Sequence, residues 1–250
     1  MNKRIDLNGK IPEFNDFDWN KVKEVDIESS EEKLVSLNLI PEKIVVRSQY
    51  FIQGINGALP ECFIRESVYD KLLEAVNYLP TGFKFLIYDS WRPKIVQYEL
   101  FNRLKDEIKK ENPSLNEKDL DNLVQEYVAL PSDDQKAPSP HLTGGAIDLT
   151  IIDQDGKELE MGTAFDETDK KTHTTYYEKI LNKRELTKQE EVILKNRRLL
   201  YNIMIEVGFV NYPHEWWHFD YGDQVWAYIL EKENAFYSIS APELRWKKAF

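Results

Sequence analysis

The segment SPHLTGGAID, residues 139–148, places an imidazole at His141 and a carboxylate at Asp148, seven positions apart across a Gly-Gly pair. A second segment, HEWWH at residues 214–218, supplies another imidazole at His218 and a carboxylate at Glu215. A catalytic zinc site needs three protein ligands, an open fourth position and a nearby carboxylate that accepts a proton from water. Together, the two segments predict such a site.

The predicted fold is built outward from the first segment. Residues 145–152 predict a strand on which the side chains of Ala146, Asp148 and Thr150 share one face. Residues 209–213 and 216–221 predict a closing hairpin, and residues 83–88 a further strand. Helices are predicted over residues 68–77, 94–110 and 188–207, and a capping box at Ser114 and Glu117 predicts one more, to about residue 128. This pattern predicts the α+β class, with one domain in which helices flank a small, mainly antiparallel sheet.

Composition restricts the class of partner. The 250-residue chain has a net charge of −11, and no run of Lys and Arg stands free of Glu and Asp. These features argue against nucleic acid or an anionic membrane face as a partner, and a small peptide substrate fits better. The N-terminus lacks the apolar region of a signal peptide, and no apolar run has the length of a membrane span, so a cytoplasmic protein is expected.

The domain organisation is expected to be simple. Residues 1–43 are charged and weakly patterned, which predicts an N-terminal arm, and residues 44–250 are expected to form the catalytic domain. Cys62 is the only cysteine, which excludes an internal disulfide. The sequence says nothing about the oligomeric state.

The HEWWH segment allows a second interpretation. It matches H-E-x-x-H, the helical zinc motif in which both histidines bind the metal. That motif requires a helix, whereas this segment lies between Pro213 and Gly222 and is rich in strand-forming aromatic residues. We therefore favour His141, Asp148 and His218 as the ligands, with His214 outside the metal site. Glu215 is the expected base in either interpretation.

At these residues the chain resembles the zinc D-alanyl-D-alanine dipeptidases of the vancomycin-resistance type, within the zinc D,D-peptidases that share a fold with the hedgehog signalling domain. Residues 139–148 match the motif S-x-H-x-x-G-x-A-x-D, and residues 215–218 match E-x-W-H. The resemblance covers roughly residues 88–221. It implies Zn²⁺ as the cofactor, His141, Asp148 and His218 as its ligands, and Glu215 as the catalytic base.

The resemblance also implies roles outside the metal set. Arg92, in the segment DSWRP at residues 89–93, matches an arginine that stabilises the transition state. Asp166 matches an aspartate that holds the free amino end of the dipeptide, and Ser139 and Asp89 are assigned to the substrate site. A guanidinium suits a developing oxyanion, and a carboxylate suits an ammonium group.

The implied activity is zinc-dependent hydrolysis of the D-alanyl-D-alanine dipeptide to two D-alanine, with metal-activated water and Glu215 as general base and acid. Two alternatives stay open, because residues 50–54 only approximate the family signature that helps close the substrate pocket. One is a D,D-carboxypeptidase acting on longer cell-wall stem peptides. The other is a zinc-stabilised binding protein without catalysis, which the presence of Glu215 and Arg92 disfavours, since neither is needed to hold zinc.

Overall fold

Short strands and longer helices alternate along the chain in a computed structural model that describes residues 5–14, 17–28, 30–125, 132 and 134–243. The strands are β1 (Asp26–Ile27), β2 (Leu34–Ser36), β3 (Ile44–Val46), β4 (Phe63–Arg65), β5 (Lys84–Asp89), β6 (Ala146–Ile152), β7 (Val210–Asn211), β8 (His218–Asp220) and β9 (Asn234–Ala235). The helices are α1 (Trp19–Lys23), α2 (Gln49–Ile52), α3 (Glu66–Val76), α4 (Lys94–Glu111), α5 (Glu117–Gln125), α6 (Pro140–Thr143), α7 (Tyr176–Leu181), α8 (Lys188–Glu206) and α9 (Gln224–Ile229).

Five strands form the main sheet, in the order β3-β5-β6-β8-β7. The pairs β5-β6, β6-β8 and β8-β7 are antiparallel, and only β3-β5 is parallel. Two small sheets, β1-β9 and β2-β4, lie outside it. The predicted α+β class, with a mainly antiparallel sheet and flanking helices, is confirmed.

Strand β6 divides the domain into an apolar side and a polar side. All seven of its residues are buried. Ile147, Leu149 and Ile151 join the main core, which also contains buried side chains of α3 and α8. Because successive side chains alternate across a strand, Asp148 and Thr150 face the other side. Burying each large apolar side chain contributes about 1.5–3 kcal/mol, so the apolar alternation fixes which way Asp148 points.

The helix starts test the capping predictions. Helix α8 begins with a capping box in which the Thr187 hydroxyl accepts from the Glu190 backbone N–H and the Glu190 carboxylate accepts from that of Thr187. The capping box predicted at Ser114 is wrong. Helix α5 starts at Glu117, and the Asn116 side chain accepts from the Asp119 backbone N–H, because Asn caps a helix start at least as well as Ser. The end predicted near residue 128 lies outside the described residues.

The described N-terminal residues pack against the rest of the domain. Ile11, Val22 and Leu37 are buried, and β1 pairs with β9 near the other end of the chain. The domain boundary at residue 43 stays a prediction. Among the described residues, no helix combines the length and apolar character that crossing a membrane requires.

Candidate metal centre

His141, Asp148 and His218 come together at the polar side of the sheet. Asp148 on β6 lies directly opposite His218 on β8 in the antiparallel register. His141 lies on α6, and Gly144 ends that short helix in a left-handed conformation (φ 76°), which lets the chain turn into β6. One potential ligand atom from each of the three side chains lies within 4.8 Å of the others, and all three residues are buried.

The donor atoms are spaced as ligands of one tetrahedral ion. His218 Nδ1 lies 2.9 Å from Asp148 Oδ1, and His141 Nε2 lies 3.2 Å from His218 Nδ1 and 3.4 Å from Asp148 Oδ2. Ligand bonds of about 2.0–2.1 Å in tetrahedral geometry put neighbouring ligand atoms about 3.3 Å apart. The three side chains can therefore close on one ion with little rearrangement.

The outer partners of the two imidazoles fix which ring nitrogens face the interior of the site. His141 Nδ1 lies 2.7 Å from the Ser90 carbonyl oxygen, and His218 Nε2 lies 3.0 Å from Asp220 Oδ1. Both partners are acceptors, so the two outer nitrogens carry protons, and the inner nitrogens, which lie 3.2 Å apart, are the ones available to a cation. This donor set fits a bound metal ion.

The electrostatics of Asp148 agree with that fit. Burial alone raises the pKa of a carboxyl group, but the charges and hydrogen bonds of His141 and His218 outweigh burial and hold the pKa of Asp148 below its usual value. The group therefore stays ionised.

Asp220 was missed by the sequence analysis. It is fully buried and lies two positions after His218 on β8, hence on the same face of the strand. The two-residue period of the strand predicted at His218 could have placed Asp220 beside it. Asp223, which caps α9, is also buried, and burial together with the charge of Asp220 raises its pKa well above the usual value.

Glu215 lies beside the side chains of His141, Asp148 and His218, in the segment between β7 and β8. Its Oε2 is 3.8 Å from His218 Nδ1. Desolvation by the surrounding protein raises the pKa of Glu215 to about 8. The charge of His218 opposes this shift, and the charges of Asp148 and Asp166 add to it. The helical interpretation of HEWWH is wrong, because residues 212–217 contain two turns, at 213–214 and 216–217, and no helix, and His214 is stacked on His173 with ring centroids 4.6 Å apart.

Arg92 reaches the same cluster from the end of β5. Its Nε donates to Asp89 Oδ2 at 2.7 Å, one terminal nitrogen donates to Gln97 Oε1 at 2.7 Å, and the other lies 3.3 Å from Asp148 Oδ2. The guanidinium also lies over the Tyr50 ring, 4.7 Å from its centroid. The pairing of β5 with β6 shifts register between Ile87 and Asp89, and an irregularity of this kind bends a strand, here just before the segment that carries Arg92.

Tyr50 and Gln97 had no assigned role in the sequence analysis. Each is on a helix next to the Arg92 loop. Tyr50 begins the 50–54 segment that only approximates the family signature, and no motif marks Gln97. Asp89 is buried, which raises its pKa, while Arg92 and then His141 oppose that shift. The nearest partner of its carboxylate is Arg92.

Ser139 and Asp166 approach the cluster from two sides. Ser139 is the N-cap residue of α6 and lines a narrow crevice with Arg92 and His141. Asp166, on the long loop after β6, has a left-handed backbone (φ 64°), which is uncommon for a residue other than Gly. The residue as a whole is exposed. Its carboxyl group nevertheless interacts with the interior: desolvation raises its pKa to about 6, Arg92 opposes the shift, and Asp148 reinforces it.

Comparison with known proteins identifies the family. A family model described as Peptidase_M15, D-ala-D-ala dipeptidase, matches residues 31–237. The chain belongs to this family. D-alanyl-D-alanine dipeptidases of Synechocystis sp. and of Escherichia coli K12 are 32% and 29% identical to it over 155 and 160 residues. These alignments cover 59% and 64% of the chain, and 63% and 66% of the relatives, so the chain spans under two thirds of either relative's length.

Solved structures of D,D-peptidases are more distant. The vancomycin-resistance D,D-dipeptidase VanXYg, solved with a D-Ala-D-Ala phosphinate analogue, is 18% identical with a TM-score of 0.36, over 82% of this chain and 65% of that one. A VanY D,D-pentapeptidase mutant in complex with Zn(II) is 18% identical with a TM-score of 0.38, over 69% and 81%.

Proposed function

We propose that this chain hydrolyses the D-alanyl-D-alanine dipeptide and that Zn²⁺ is its metal. The observation that carries the proposal is the convergence of three donor atoms, from His141, Asp148 and His218, at the spacing of one tetrahedral ion. Membership of the D-ala-D-ala dipeptidase family supports the substrate. His141, Asp148 and His218 are the proposed ligands. When bound there, zinc supplies a Lewis acid and lowers the pKa of a water molecule to about 7.

Glu215 is the proposed proton carrier. Its carboxylate lies beside the ligand cluster, close to the ring of His218, yet outside the three-atom donor set. From there it takes the proton of the attacking water and returns it to the amine of the departing D-alanine. Burial raises the pKa of this carboxyl group, and the charge of a bound metal ion would lower it again, which suits a group that first accepts the proton and then returns it.

Arg92 is the proposed stabiliser of the oxyanion that forms at the attacked carbonyl. Asp89 and Gln97 fix two of its nitrogens, so the guanidinium is held in place before the substrate arrives. Preorganised donors of this kind stabilise developing charge without reorganisation during the reaction. We assign Asp89 to the substrate site through this contact with Arg92.

Asp166 and Ser139 are the proposed substrate contacts. A carboxylate at Asp166 pairs with the free ammonium group of the dipeptide, and Ser139 lines the narrow crevice beside Arg92 and His141. Phe165, next to Asp166, packs on the rings of Tyr88 and Trp217, with ring centroids 4.6 and 5.4 Å away.

The direct test measures zinc content and D-Ala-D-Ala hydrolysis for the wild type, His141→Ala and His214→Ala. We expect His141→Ala to lose both the metal and the activity, because it removes one of three ligands. His214→Ala should keep its zinc, since His214 stacks on His173 away from the ligand atoms. Zinc loss in His214→Ala with retention in His141→Ala would overturn the proposed ligand set. A zinc-loaded wild type that cleaves no short D,D-peptide would favour the binding-protein alternative.

A further inference from the structure

The side chain of Arg197 joins the two ends of the loop that carries Asp166. It lies on α8 with only 2% of its surface exposed. Its Nε donates to the Met161 carbonyl at 2.8 Å, and its two terminal nitrogens donate to the carbonyls of His173 at 2.7 Å and Lys171 at 2.6 Å. Met161 begins the loop, and Lys171 and His173 end it. We call residues 161–173 the substrate loop.

Two aromatic rings pack against the guanidinium group of Arg197. The Arg197 Cζ lies 4.9 Å from the centroid of the Tyr177 ring and 6.0 Å from that of Trp216. A planar fork of donors can serve three carbonyls at once, whereas the ammonium group of Lys is a compact point charge on a flexible stem. The contacts therefore depend on Arg at this position.

The same loop is tied to the segment that carries Glu215. Trp216 Nε1 donates to the Thr163 hydroxyl at 2.8 Å, and the Trp216 backbone N–H donates to the Thr172 carbonyl at 3.0 Å. The Thr172 hydroxyl donates to the His214 carbonyl at 2.9 Å. Arg197 and Trp216 thus fix the two ends of the loop relative to the proposed base.

Asp166 needs this support because its backbone is left-handed. A residue other than Gly in that region costs about 1–3 kcal/mol and persists only where the surroundings over-determine it. Within the loop, Phe165 packs on rings of the site and the Ala164 backbone N–H donates to Glu167, but the ends of the loop are set by Arg197.

We propose that Arg197 is a positioning residue for substrate recognition, which holds the substrate loop so that Asp166 faces the amino end of the peptide. This inference rests on the proposed function for its kinetic consequence. Among the described residues, Arg197 bonds the carbonyls of Met161, Lys171 and His173 and packs on the rings of Tyr177 and Trp216, so we expect its effect to pass through the loop.

The test compares Arg197→Lys with Arg198→Lys. Arg198 is the neighbouring residue on α8, and its guanidinium pairs with Glu178, away from the loop. In Arg197→Lys we expect zinc content to be kept, KM for D-Ala-D-Ala to rise about 10- to 100-fold, and kcat to change by less than about threefold. Arg198→Lys should leave KM unchanged. A folded Arg197→Lys with wild-type KM would overturn the inference.

A double-mutant cycle separates positioning from general stability. If Arg197 acts through Asp166, then Arg197→Lys adds little to KM in an Asp166→Asn background. If the two substitutions raise KM by factors that multiply in the double variant, Arg197 acts independently of Asp166. If Arg197→Lys does not fold, Thr163→Val, which removes the partner of the Trp216 ring N–H, must raise KM in the same selective way, and a wild-type KM there would count against the inference.

Hydrogen exchange makes the outcome independent of the proposed activity. Backbone amides of residues 161–173 should exchange faster in Arg197→Lys than in Arg198→Lys, with the β6 amides unchanged. A wild type that does not cleave D-Ala-D-Ala would defeat the proposed function, yet the exchange measurement still decides whether Arg197 holds the loop. Equal exchange in the two variants would show that it does not.

Discussion

His218 Nε2 and Asp220 Oδ1 lie 3.0 Å apart, and the other ring nitrogen of His218 faces Asp148. Asp220 therefore sets both the tautomer and the orientation of a proposed metal ligand. Asp220 lies in β8 with no exposed surface, so bulk solvent does not compete for its carboxylate. Outer partners of this kind are as much a part of a metal site as the ligands themselves.

Asp220→Asn should weaken zinc binding about 10- to 100-fold, because a neutral amide is a poorer acceptor for the imidazole N–H. Competition with a chelator of known affinity measures the change. Asp70→Asn, an exposed substitution on α3, is the matched control and should bind zinc as the wild type does. Equal zinc affinity in the two variants would remove Asp220 from the metal site.

Glu215→Gln should retain zinc and lose about 10²- to 10⁴-fold in kcat, because the amide cannot accept the proton of water. Zinc analysis and steady-state kinetics on D-Ala-D-Ala test this together. Glu206→Gln, at the exposed end of α8, controls for the loss of one negative charge. Activity within tenfold of the wild type would assign the base to another residue.

Arg92→Lys should lower kcat about 10²- to 10³-fold. Lysine cannot bond Asp89 and Gln97 while still presenting a donor beside Asp148, as the guanidinium does. The control is Arg103→Lys, since Arg103 forms an exposed pair with Glu99, and such pairs contribute about 0–1 kcal/mol. Similar kinetics in the two variants would contradict the oxyanion role.

The wild type should prefer the free dipeptide to N-acetyl-D-Ala-D-Ala, and Asp166→Asn should reduce that preference. A carboxylate that pairs with an ammonium group discriminates against a neutral amide in its place. The ratio of kcat/KM for the two substrates is the measurement. Equal hydrolysis of both by the wild type would favour the D,D-carboxypeptidase alternative.

Acidification should destabilise the fold through His173. Burial, followed by the positive charges of His214, Lys179, Lys170 and Arg197, lowers its pKa to about 4. Its folded pKa lies below the unfolded value of about 6.5. The contribution of uncharged His173 to the free energy of unfolding is therefore fully present above about pH 6.5 and is lost as the pH falls toward 4. His173→Gln should flatten the pH dependence of the free energy of unfolding in that window. Parallel curves for variant and wild type would disprove the link.

Local chemistry made much of the site predictable. The alternation of residues 146–152 already indicated a strand with Asp148 on its polar face, and the aromatic residues after Glu215 indicated a strand at His218. The helix predicted over residues 188–207 is present as α8, which opens with a capping box at Thr187 and Glu190. The box predicted at Ser114 failed because a neighbouring Asn competes for the same helix start, and propensity alone does not rank such neighbours.

The sequence by itself determined which residues are candidate metal ligands, the strands that carry Asp148 and His218, and the polar face of β6. Side-chain chemistry and the two-residue strand period act over short distances, so they can be read from neighbouring residues. Tertiary structure decided which carbonyl orients His141, which side chains fix Arg92 and which arginine ties the substrate loop. The Ser90 carbonyl and His141, for example, are 51 positions apart and meet only through packing. Strand register and helix packing create such contacts, and both depend on the whole core.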